Sequence, residues 1–567
     1  MRYTHKRFLP LGAVAQLFRL PFFLFASSLW LLAPASAQTN KLTLTFDGIT
    51  FNSAYDNGSL AGVSRRAAND YDATLLTDIG ESGTARYWFR FTMSGVAGRI
   101  VTLHLDHSQN PVPFLRVLDS RAGTWRRMTA SEAPNNSTLV LSFGAGTNLV
   151  ELAFFEPLGY AETLAAVTAL IASDSNASTA VIGQSFEHRD LQLITVNNPR
   201  YPAAAKHRVW LHARAHAGEV TAAHTMLGFL SQILEDSETG RRLREHVIFN
   251  IVPQLNIDGI VRGHTRWDAQ GLDPEAQWCN PRTPEVAALK VQVDALMATP
   301  NPISLALNLH STMGNYTDSF FWKHLAPSVS TTFEGIEQRY IDALNAATPL
   351  FDNRSPQNSQ LNACTFIESY FWNHWGESVM ALTHEGHYYR RITDNAWTDG
   401  HHYSELGRAQ ARALISYYNL PPTTEPDLTF TLWRATRFTP AEISDPDIGS
   451  PAADPDHDGL NNAWEYIFAL DPQQPDPSPV NVSRSDHTTT LTFALNQHLT
   501  DVRLSLEHSL NGTDWIQEDL ATSTNLVRLT TRDVPRGTNY VDFVTVQQLT
   551  SAPQQFYRLV ATAPAER

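Results

Sequence analysis

Between about residue 190 and residue 420, short apolar runs alternate with segments of helical spacing, and this alternation constrains the fold more than any other feature. The apolar runs are HRVWLHARA, HVIFNIVPQL, ISLALNLH and SVMALTHE, and the helical segments are Val220–Leu234, Glu285–Met297 and Thr332–Leu350. Short apolar runs are typical of buried strands, and strands that alternate with helices form a largely parallel sheet covered by helices. The sequence therefore predicts an α/β domain.

The regions on both sides of this domain are rich in predicted strands. Runs such as ARYWFRFTM and RIVTLHLD come before it, and runs such as TTTLTFAL and DVRLSLEHS come after it. A chain of 567 residues is also too long for one core. We predict a β-sandwich at residues 38–168, the α/β domain at 169–420, a linker rich in proline and aspartate at 421–479, and a β-sandwich-like domain at 480–567. The last domain is predicted to bind a surface, a glycan or sorting machinery.

Residues 1–37 have the pattern of a cleaved signal peptide. Basic residues come first, the apolar stretch LPFFLFASSLWLLA follows, and Ala35–Ala37 supplies small residues for cleavage. An uncleaved anchor is the alternative, but the apolar run is short for a membrane span. The pattern predicts a secreted or periplasmic protein without a span in its mature chain. The net charge of −15 argues against nucleic acid as a partner.

Polar residues stand where the apolar runs of the α/β domain end. His216 and Glu219 follow the first run, Asn256 the second, His310 ends the third and Glu385 ends the fourth. Ligands of α/β sheets bind at the carboxyl ends of strands. Two histidines and one carboxylate can hold a catalytic zinc, and a second carboxylate can act as a general base. The H-x-x-E spacing by itself is weak, because a surface loop also explains it.

Several motifs occur in a fixed order along the α/β domain. They are HAGE at His216–Glu219, IVPQLNIDGIVRGHTRW at Ile251–Trp267, LNLHS at Leu307–Ser311 and ALTHEG at Ala381–Gly386. As a set they resemble the zinc metallocarboxypeptidases, in particular their cytosolic-carboxypeptidase-like branch. The resemblance implies a carboxypeptidase-like fold and one catalytic zinc on His216, Glu219 and His310. It also implies that Glu385 is the general base to zinc-bound water and that Arg266 polarises the carbonyl of a peptide or amide.

The predicted substrate pocket departs from the family pattern. The Asn-Arg pair with which the family grips a terminal carboxylate falls on Glu275 and Ala276, and the nearest candidate for its mobile tyrosine is Tyr370. Asn256 is a further candidate for substrate binding. Because like charges repel, an ionised Glu275 predicts poor binding of a terminal carboxylate. The alternatives are a zinc amidase, deacylase or esterase whose substrate lacks that carboxylate, and a non-catalytic surface-binding relative.

The chain has two cysteines, Cys279 and Cys364. This number is too small for a fold that depends on disulfides, and the sequence by itself leaves one bridge and two free thiols equally open. The family geometry brings both residues to one rim of the cleft. The resemblance therefore implies a Cys279–Cys364 disulfide.

A second metal motif, DPDHDGLNNAWE, lies in the predicted linker. The EF-hand-like spacing offers carboxylates from Asp454, Asp456 and Asp458, the carbonyl of Leu460, and a bidentate carboxylate from Glu465. The pattern predicts a structural calcium ion. A solvated acidic linker is the alternative.

Overall fold

The structure is a computed structural model of the chain. It describes residues 41–562 apart from residues 107–111, 120–122, 136, 173–175, 236, 314–317, 327, 352–356, 360–364, 425–428, 486–487, 497–498, 500, 521–526, 537–538 and 550–555. The predicted signal segment, residues 1–37, lies outside this part. Among the described helices, none combines the length and the apolar character that crossing a membrane requires.

The first region consists of strands. They are β1 (Thr43–Phe46), β2 (Ile49–Asn52), β3 (Gly62–Ala67), β4 (Asp70–Thr74), β5 (Asp78–Gly80), β6 (Gly83–Ala85), β7 (Arg90–Ser94), β8 (Ile100–Leu105), β9 (Phe114–Val117), β10 (Arg126–Arg127), β11 (Thr138–Ser142) and β12 (Leu149–Ala153). One sheet has the order β1-β2-β7-β12-β9-β10, another has the order β11-β8-β4-β3, and β5 pairs with β6. Phe51 of the first sheet meets Tyr71 of the second, with ring centroids 5.1 Å apart. The two sheets therefore share an aromatic core, as in a β-sandwich.

The α/β region contains the predicted alternation of strands and helices. Its elements are α1 (Tyr160–Ile171), β13 (Ala177–Gln184), β14 (Asp190–Val196), β15 (His207–Ala213), α2 (Val220–Leu234), α3 (Glu238–His246), β16 (Val247–Val252), α4 (Ile257–Arg262), α5 (Pro284–Met297), β17 (Leu305–Ser311), β18 (Phe320–His324), α6 (Thr331–Ala347), β19 (Gln357–Ser359), α7 (Ile367–Trp375), β20 (Met380–Gly386) and α8 (Gly400–Tyr417). The strand order is β13-β14-β16-β15-β17-β20-β18-β19. The central strands β16, β15, β17 and β20 are parallel, and antiparallel pairs flank them.

Helices cover both faces of this mixed sheet. Alternate residues of β15, β17 and β20 enter one core with α2, α6 and α8, and the residues between them enter another core with α5 and α7. Burial on both faces explains why these strands are continuous apolar runs in the sequence. The prediction of a mixed, largely parallel α/β sheet between β-rich regions is confirmed.

The region predicted as a linker is helical where the structure describes it. It contains α9 (Phe430–Arg437), α10 (Pro440–Ser444), α11 (Pro446–Gly449) and α12 (Asn462–Phe468). Pro440 and Pro446 stand in the first turns of their helices, where proline is tolerated because the amide there needs no helical partner. Short helices therefore occupy much of the stretch predicted as a linker.

The last region again consists of strands. They are β21 (Asn481–Ser485), β22 (Thr488–Asn496), β23 (Leu504–Ser509), β24 (Ile516–Asp519), β25 (Val527–Arg536), β26 (Asn539–Leu549) and β27 (Phe556–Ala561). The sheets have the orders β21-β22-β26-β25 and β24-β23-β27. Trp433 of α9 and Phe468 of α12 belong to the same core as Leu491 and Phe493 of β22. The helices α9 and α12 are thus packed against the final strands.

A buried network of ion pairs connects the first region to the α/β region. Arg90 of β7 lies 2.7 Å from Glu151 of β12 and 2.6 Å from Glu162 of α1. Arg116 of β9 also pairs with Glu151, and the Tyr55 hydroxyl donates a hydrogen bond to it. Because both Arg90 and Glu151 are buried, each depends on the other to compensate its charge.

Candidate active site

Three predicted ligands converge at the carboxyl ends of neighbouring strands. His216 lies in the turn after β15, Glu219 begins α2, and His310 lies near the end of β17. The Nδ1 atoms of the two histidines each lie 2.8 Å from a different Glu219 oxygen and 3.2 Å from each other. All three side chains are buried. Two clusters of three potential metal ligands occur in the described part of the chain, and this is the one whose three members are all buried.

The turn after β15 packs closely against the loop that contains Thr265. Gly218 donates its N–H to the Thr265 carbonyl, and a Cβ at this position would lie 2.8 Å from that oxygen. Glycine therefore permits the close approach of the two loops. Glu219 then stands at the amino end of α2, where the helix dipole favours a carboxylate. The backbone N–H of Ser311 also donates to Glu219 at 3.0 Å.

Each histidine has a second carboxylate behind it. His216 Nε2 lies 3.1 Å from Asp273 Oδ1, and His310 Nε2 lies 3.1 Å from Glu275 Oε2. Such outer carboxylates fix the ring orientation of a metal-binding histidine and increase its basicity. Asp273 was not among the predicted site residues, although two acidic residues spaced two apart in LDPEAQW were a usable signal.

The charges of the cluster favour a cation between the two rings. Burial alone would raise the pKa of Glu219, but His216 and His310 outweigh burial and lower it. Burial alone would lower the pKa of His310, but Glu219 and Glu275 outweigh burial and raise it well above its ordinary value. Each member of the cluster therefore favours the charged form of its neighbour, and the carboxylates exceed the histidines in number.

The donor atoms fit zinc. Two imidazole nitrogens and one carboxylate form a common set for catalytic zinc. The spacing of 2.8–3.2 Å between them is close to the roughly 3.3 Å edge of a tetrahedron with zinc–ligand bonds of about 2.0–2.1 Å. With both Nε2 atoms turned to carboxylates, the Nδ1 atoms face the centre of the cluster and are free to bind the metal.

Arg266 and Glu385 lie beside this cluster. The Arg266 guanidinium is held by Asp273 at 2.7 Å and reaches to 3.4 Å from His216 Nδ1. Glu385 on β20 is the register partner of His310 on β17. One Glu385 oxygen accepts a hydrogen bond from Trp322 Nε1 at 3.0 Å, and the other is buried without a partner among the described residues. Burial and the charge of Glu219 raise the pKa of Glu385 to about 7, a value that suits proton transfer near neutral pH.

The first region of the chain holds the loop that carries Arg266. The carboxylate of Asp78, on β5, accepts hydrogen bonds from the backbone N–H groups of Arg266 and Trp267 at 2.9 and 3.0 Å. Glu81, in the β5–β6 hairpin, accepts one from the backbone N–H of Asp273 at 3.1 Å. The N-terminal β-rich region therefore contributes to the geometry of the site. Sequence spacing gave no sign of these contacts.

Two predicted substrate-binding residues have structural roles instead. Asn256 caps α4 by accepting a hydrogen bond from Gly259 N–H at 3.0 Å, and it donates to the Arg266 carbonyl at 3.0 Å. The Tyr370 hydroxyl accepts a hydrogen bond from Lys290 Nζ at 2.8 Å and contacts Asp294 on α5, away from the metal cluster. The polar groups of Asn256 and Tyr370 thus have protein partners, and a role of either residue in substrate binding stays a prediction.

The pair that replaces the family's Asn-Arg lies in a short 3-10 helix, Glu275–Gln277. Glu275 is buried and accepts a hydrogen bond from Asn308 Nδ2 at 2.8 Å in addition to its contact with His310. It thus supports a histidine, and the expectation of an anion facing the substrate needs correction. Cys279, which follows closely, is disulfide-bonded, and Cys364 lies outside the described residues.

The domains match known families. Residues 164–370 match the zinc carboxypeptidase family, and residues 51–155 match the N-terminal domain of cytosolic carboxypeptidases. The first match includes the three predicted ligands and Arg266, whereas Glu385 lies beyond it.

Related sequences and structures agree with these matches. Cytosolic carboxypeptidase 6 of Mus musculus is 23% identical over 49% of this chain and 56% of its own length. Cytosolic carboxypeptidase 1 of Homo sapiens is 27% identical over 41% of this chain and 23% of its own length. The chain therefore spans less than two thirds of these relatives. A metallo-carboxypeptidase from Burkholderia cenocepacia has the same fold, with a TM-score of 0.57 and 21% identity over 65% of this chain and 99% of its own.

These comparisons also correct one prediction. The N-terminal pattern predicts a secreted or periplasmic protein, but the relatives are cytosolic carboxypeptidases and residues 51–155 match the domain of that cytosolic group. The prediction of a secreted or periplasmic location is therefore wrong. It rested on basic and apolar residues within residues 1–37, a local pattern that is independent of the folded domains. The chain thus contains a domain that matches the zinc carboxypeptidases, preceded by a domain that matches the N-terminal domain of cytosolic carboxypeptidases.

Proposed function

We propose that the chain is a zinc-dependent hydrolase that cleaves a peptide or amide bond, with one zinc held by His216, Glu219 and His310. One observation carries this proposal: the Nδ1 atoms of His216 and His310 and the Glu219 carboxylate converge in a buried position. The Nε2 atom of each histidine also contacts a further carboxylate. Bound zinc lowers the pKa of water and polarises a carbonyl. The location and matched residues of this cluster support its assignment as the catalytic centre.

Glu385 and Arg266 have complementary roles in this proposal. The unpartnered Glu385 oxygen accepts a proton from the attacking water and later gives it to the leaving amine. Arg266 donates hydrogen bonds to the carbonyl oxygen as negative charge develops there, and its pairing with Asp273 fixes its orientation. The presence of both groups beside the cluster favours an enzyme over a silent binding relative. A surface-, glycan- or sorting-related role for residues 480–567 stays a prediction.

A zinc titration tests this function. We expect the metal-free chain to be inactive on peptides and one equivalent of zinc to restore hydrolysis. Because Glu275 orients His310, Glu275→Gln should need about 10–100-fold more free zinc for half-maximal activity. The matched control is Glu285→Gln, which changes another buried carboxyl. Glu285 lies on α5 and accepts a hydrogen bond from the backbone N–H of Phe186.

Two outcomes would count against this arrangement. Full activity without metal would remove the zinc hydrolase proposal. Equal zinc requirements for the wild type, Glu275→Gln and Glu285→Gln would leave zinc in place but show that Glu275 does not support a zinc ligand.

The substrate end of the pocket supports the alternative of a zinc amidase, deacylase or esterase. The Glu275 carboxylate is already hydrogen-bonded to His310 and Asn308, and Ala276 has no side-chain donor. Neither residue can therefore bind a terminal carboxylate. We expect the wild type to cleave an amidated peptide at least as fast as the matching free acid. Ala276→Arg should shift kcat/KM toward the free acid by about tenfold, since a charge-assisted pair is then available.

The comparison uses one peptide in both forms, with Ala276→Gln as the control for side-chain size. If the wild type strongly prefers the free acid, another residue anchors the carboxylate and the substrate class is that of an ordinary carboxypeptidase.

A further inference from the structure

The acidic loop between α11 and α12 is a second cluster of potential metal ligands. Asp454, Asp456 and Asp458 bring carboxylate oxygens within 4.8 Å of one another. Backbone N–H groups hold these side chains in place: His457 and Gly459 donate to Asp454 at 2.9 and 3.1 Å. Gly459 has φ of +94°, which permits the sharp turn in the middle of the loop. An acidic loop of this kind also occurs without a metal, so the cluster alone decides nothing.

Glu465 supplies the independent observation. It lies on α12, eleven residues after Asp454, and its side chain is fully buried. Neither of its carboxylate oxygens has a hydrogen-bond partner among the described residues, and the same holds for one oxygen of Asp456. A buried carboxylate is costly unless it is paired, hydrogen-bonded or bound to a metal.

We propose that residues 454–465 bind one calcium ion through Asp454, Asp456, Asp458, the carbonyl of Leu460 and both oxygens of Glu465. All of these donors are oxygens, and calcium accepts six to eight of them in a flexible arrangement. The ion would give the two Glu465 oxygens the partner that they lack among the described residues. This site is separate from the zinc cluster and does not depend on the proposed hydrolase function.

The packing of α12 indicates what calcium would stabilise. The Phe468 ring lies 5.9 Å from that of Phe493 on β22, and the Tyr466 hydroxyl donates to Asp501 at 2.6 Å. An ion bound by both the loop and Glu465 therefore fixes the helix that supports the last β-rich region. Calcium is expected to act on the stability of residues 430–562 and to leave the zinc site unchanged.

The test is calcium titration of the zinc-loaded full chain by calorimetry, together with thermal unfolding and limited proteolysis. We expect one calcium per loop, a higher unfolding temperature of the C-terminal part and slower cleavage between α11 and α12. The double variant Asp456→Asn, Asp458→Asn should bind at least about tenfold more weakly, since affinity follows the number of charged ligands. Asp447→Asn, which changes an exposed residue of α11, is the matched control.

The variant Glu465→Gln distinguishes a specific calcium site from nonspecific attraction of calcium to acidic residues. Without calcium this variant should be about as stable as the wild type, because glutamine has nearly the same shape and replaces a carboxyl that has no hydrogen-bond partner among the described residues. With calcium it should gain little stability. If the wild type shows no calcium-dependent heat, unfolding shift or protection, or if Glu465→Gln binds as tightly as the wild type, the proposal is wrong.

Discussion

Glu385→Gln is expected to reduce kcat by roughly 10²–10⁴-fold while the chain still binds one zinc. Glutamine has nearly the same shape and can accept the hydrogen bond from Trp322, but it cannot take up a proton from water. The loss should therefore appear in kcat, with little change in the zinc titration. Measurement of both quantities on the same preparation makes the separation clear.

Two comparisons make this result specific to Glu385. Glu285→Gln changes a buried carboxyl on α5 and should retain kcat within a few-fold. His216→Ala combined with His310→Ala should lose both zinc and activity. Substantial turnover by Glu385→Gln would show that another group acts as the base.

Among the substitutions proposed here, Arg90→Met is expected to lower the free energy of unfolding most, by about 3–5 kcal/mol. The substitution keeps an apolar side chain of similar length but leaves the buried Glu151 without one cation and frees Glu162 on α1. Denaturant unfolding followed by intrinsic fluorescence measures the change. Arg126→Met is the control, since the Arg126 side chain is about half exposed in its pair with Glu132, and such a surface pair contributes about 1 kcal/mol or less. Equal stabilities of the two variants would show that the buried network contributes little.

The centre of the site could be predicted because its residues stand where strands end. His216, His310 and Glu385 follow apolar runs, and parallel neighbouring strands bring their carboxyl ends to one edge of a sheet. This geometry depends only on the order and type of the elements. The same reasoning predicted the mixed α/β sheet and its covered faces.

Side-chain direction could not be predicted in the same way. The motif places Glu275 next to the substrate pocket, but whether its carboxylate faces the substrate or His310 depends on the path of a short 3-10 helix. The amide of Asn256 and the hydroxyl of Tyr370 likewise have partners on neighbouring elements. A local sequence pattern contains no information about these tertiary partners.

The contact between β5 and the Arg266 loop also has a consequence for how the protein forms. Asp78 and Arg266 are 188 positions apart, so the loop that carries Arg266 is held by a segment that is synthesised long before it. Domains generally fold in order as they leave the ribosome. The N-terminal sandwich can then serve as an intramolecular template on which the later loop settles. An α/β domain produced alone would have to reach this loop conformation without the hydrogen bonds from Asp78.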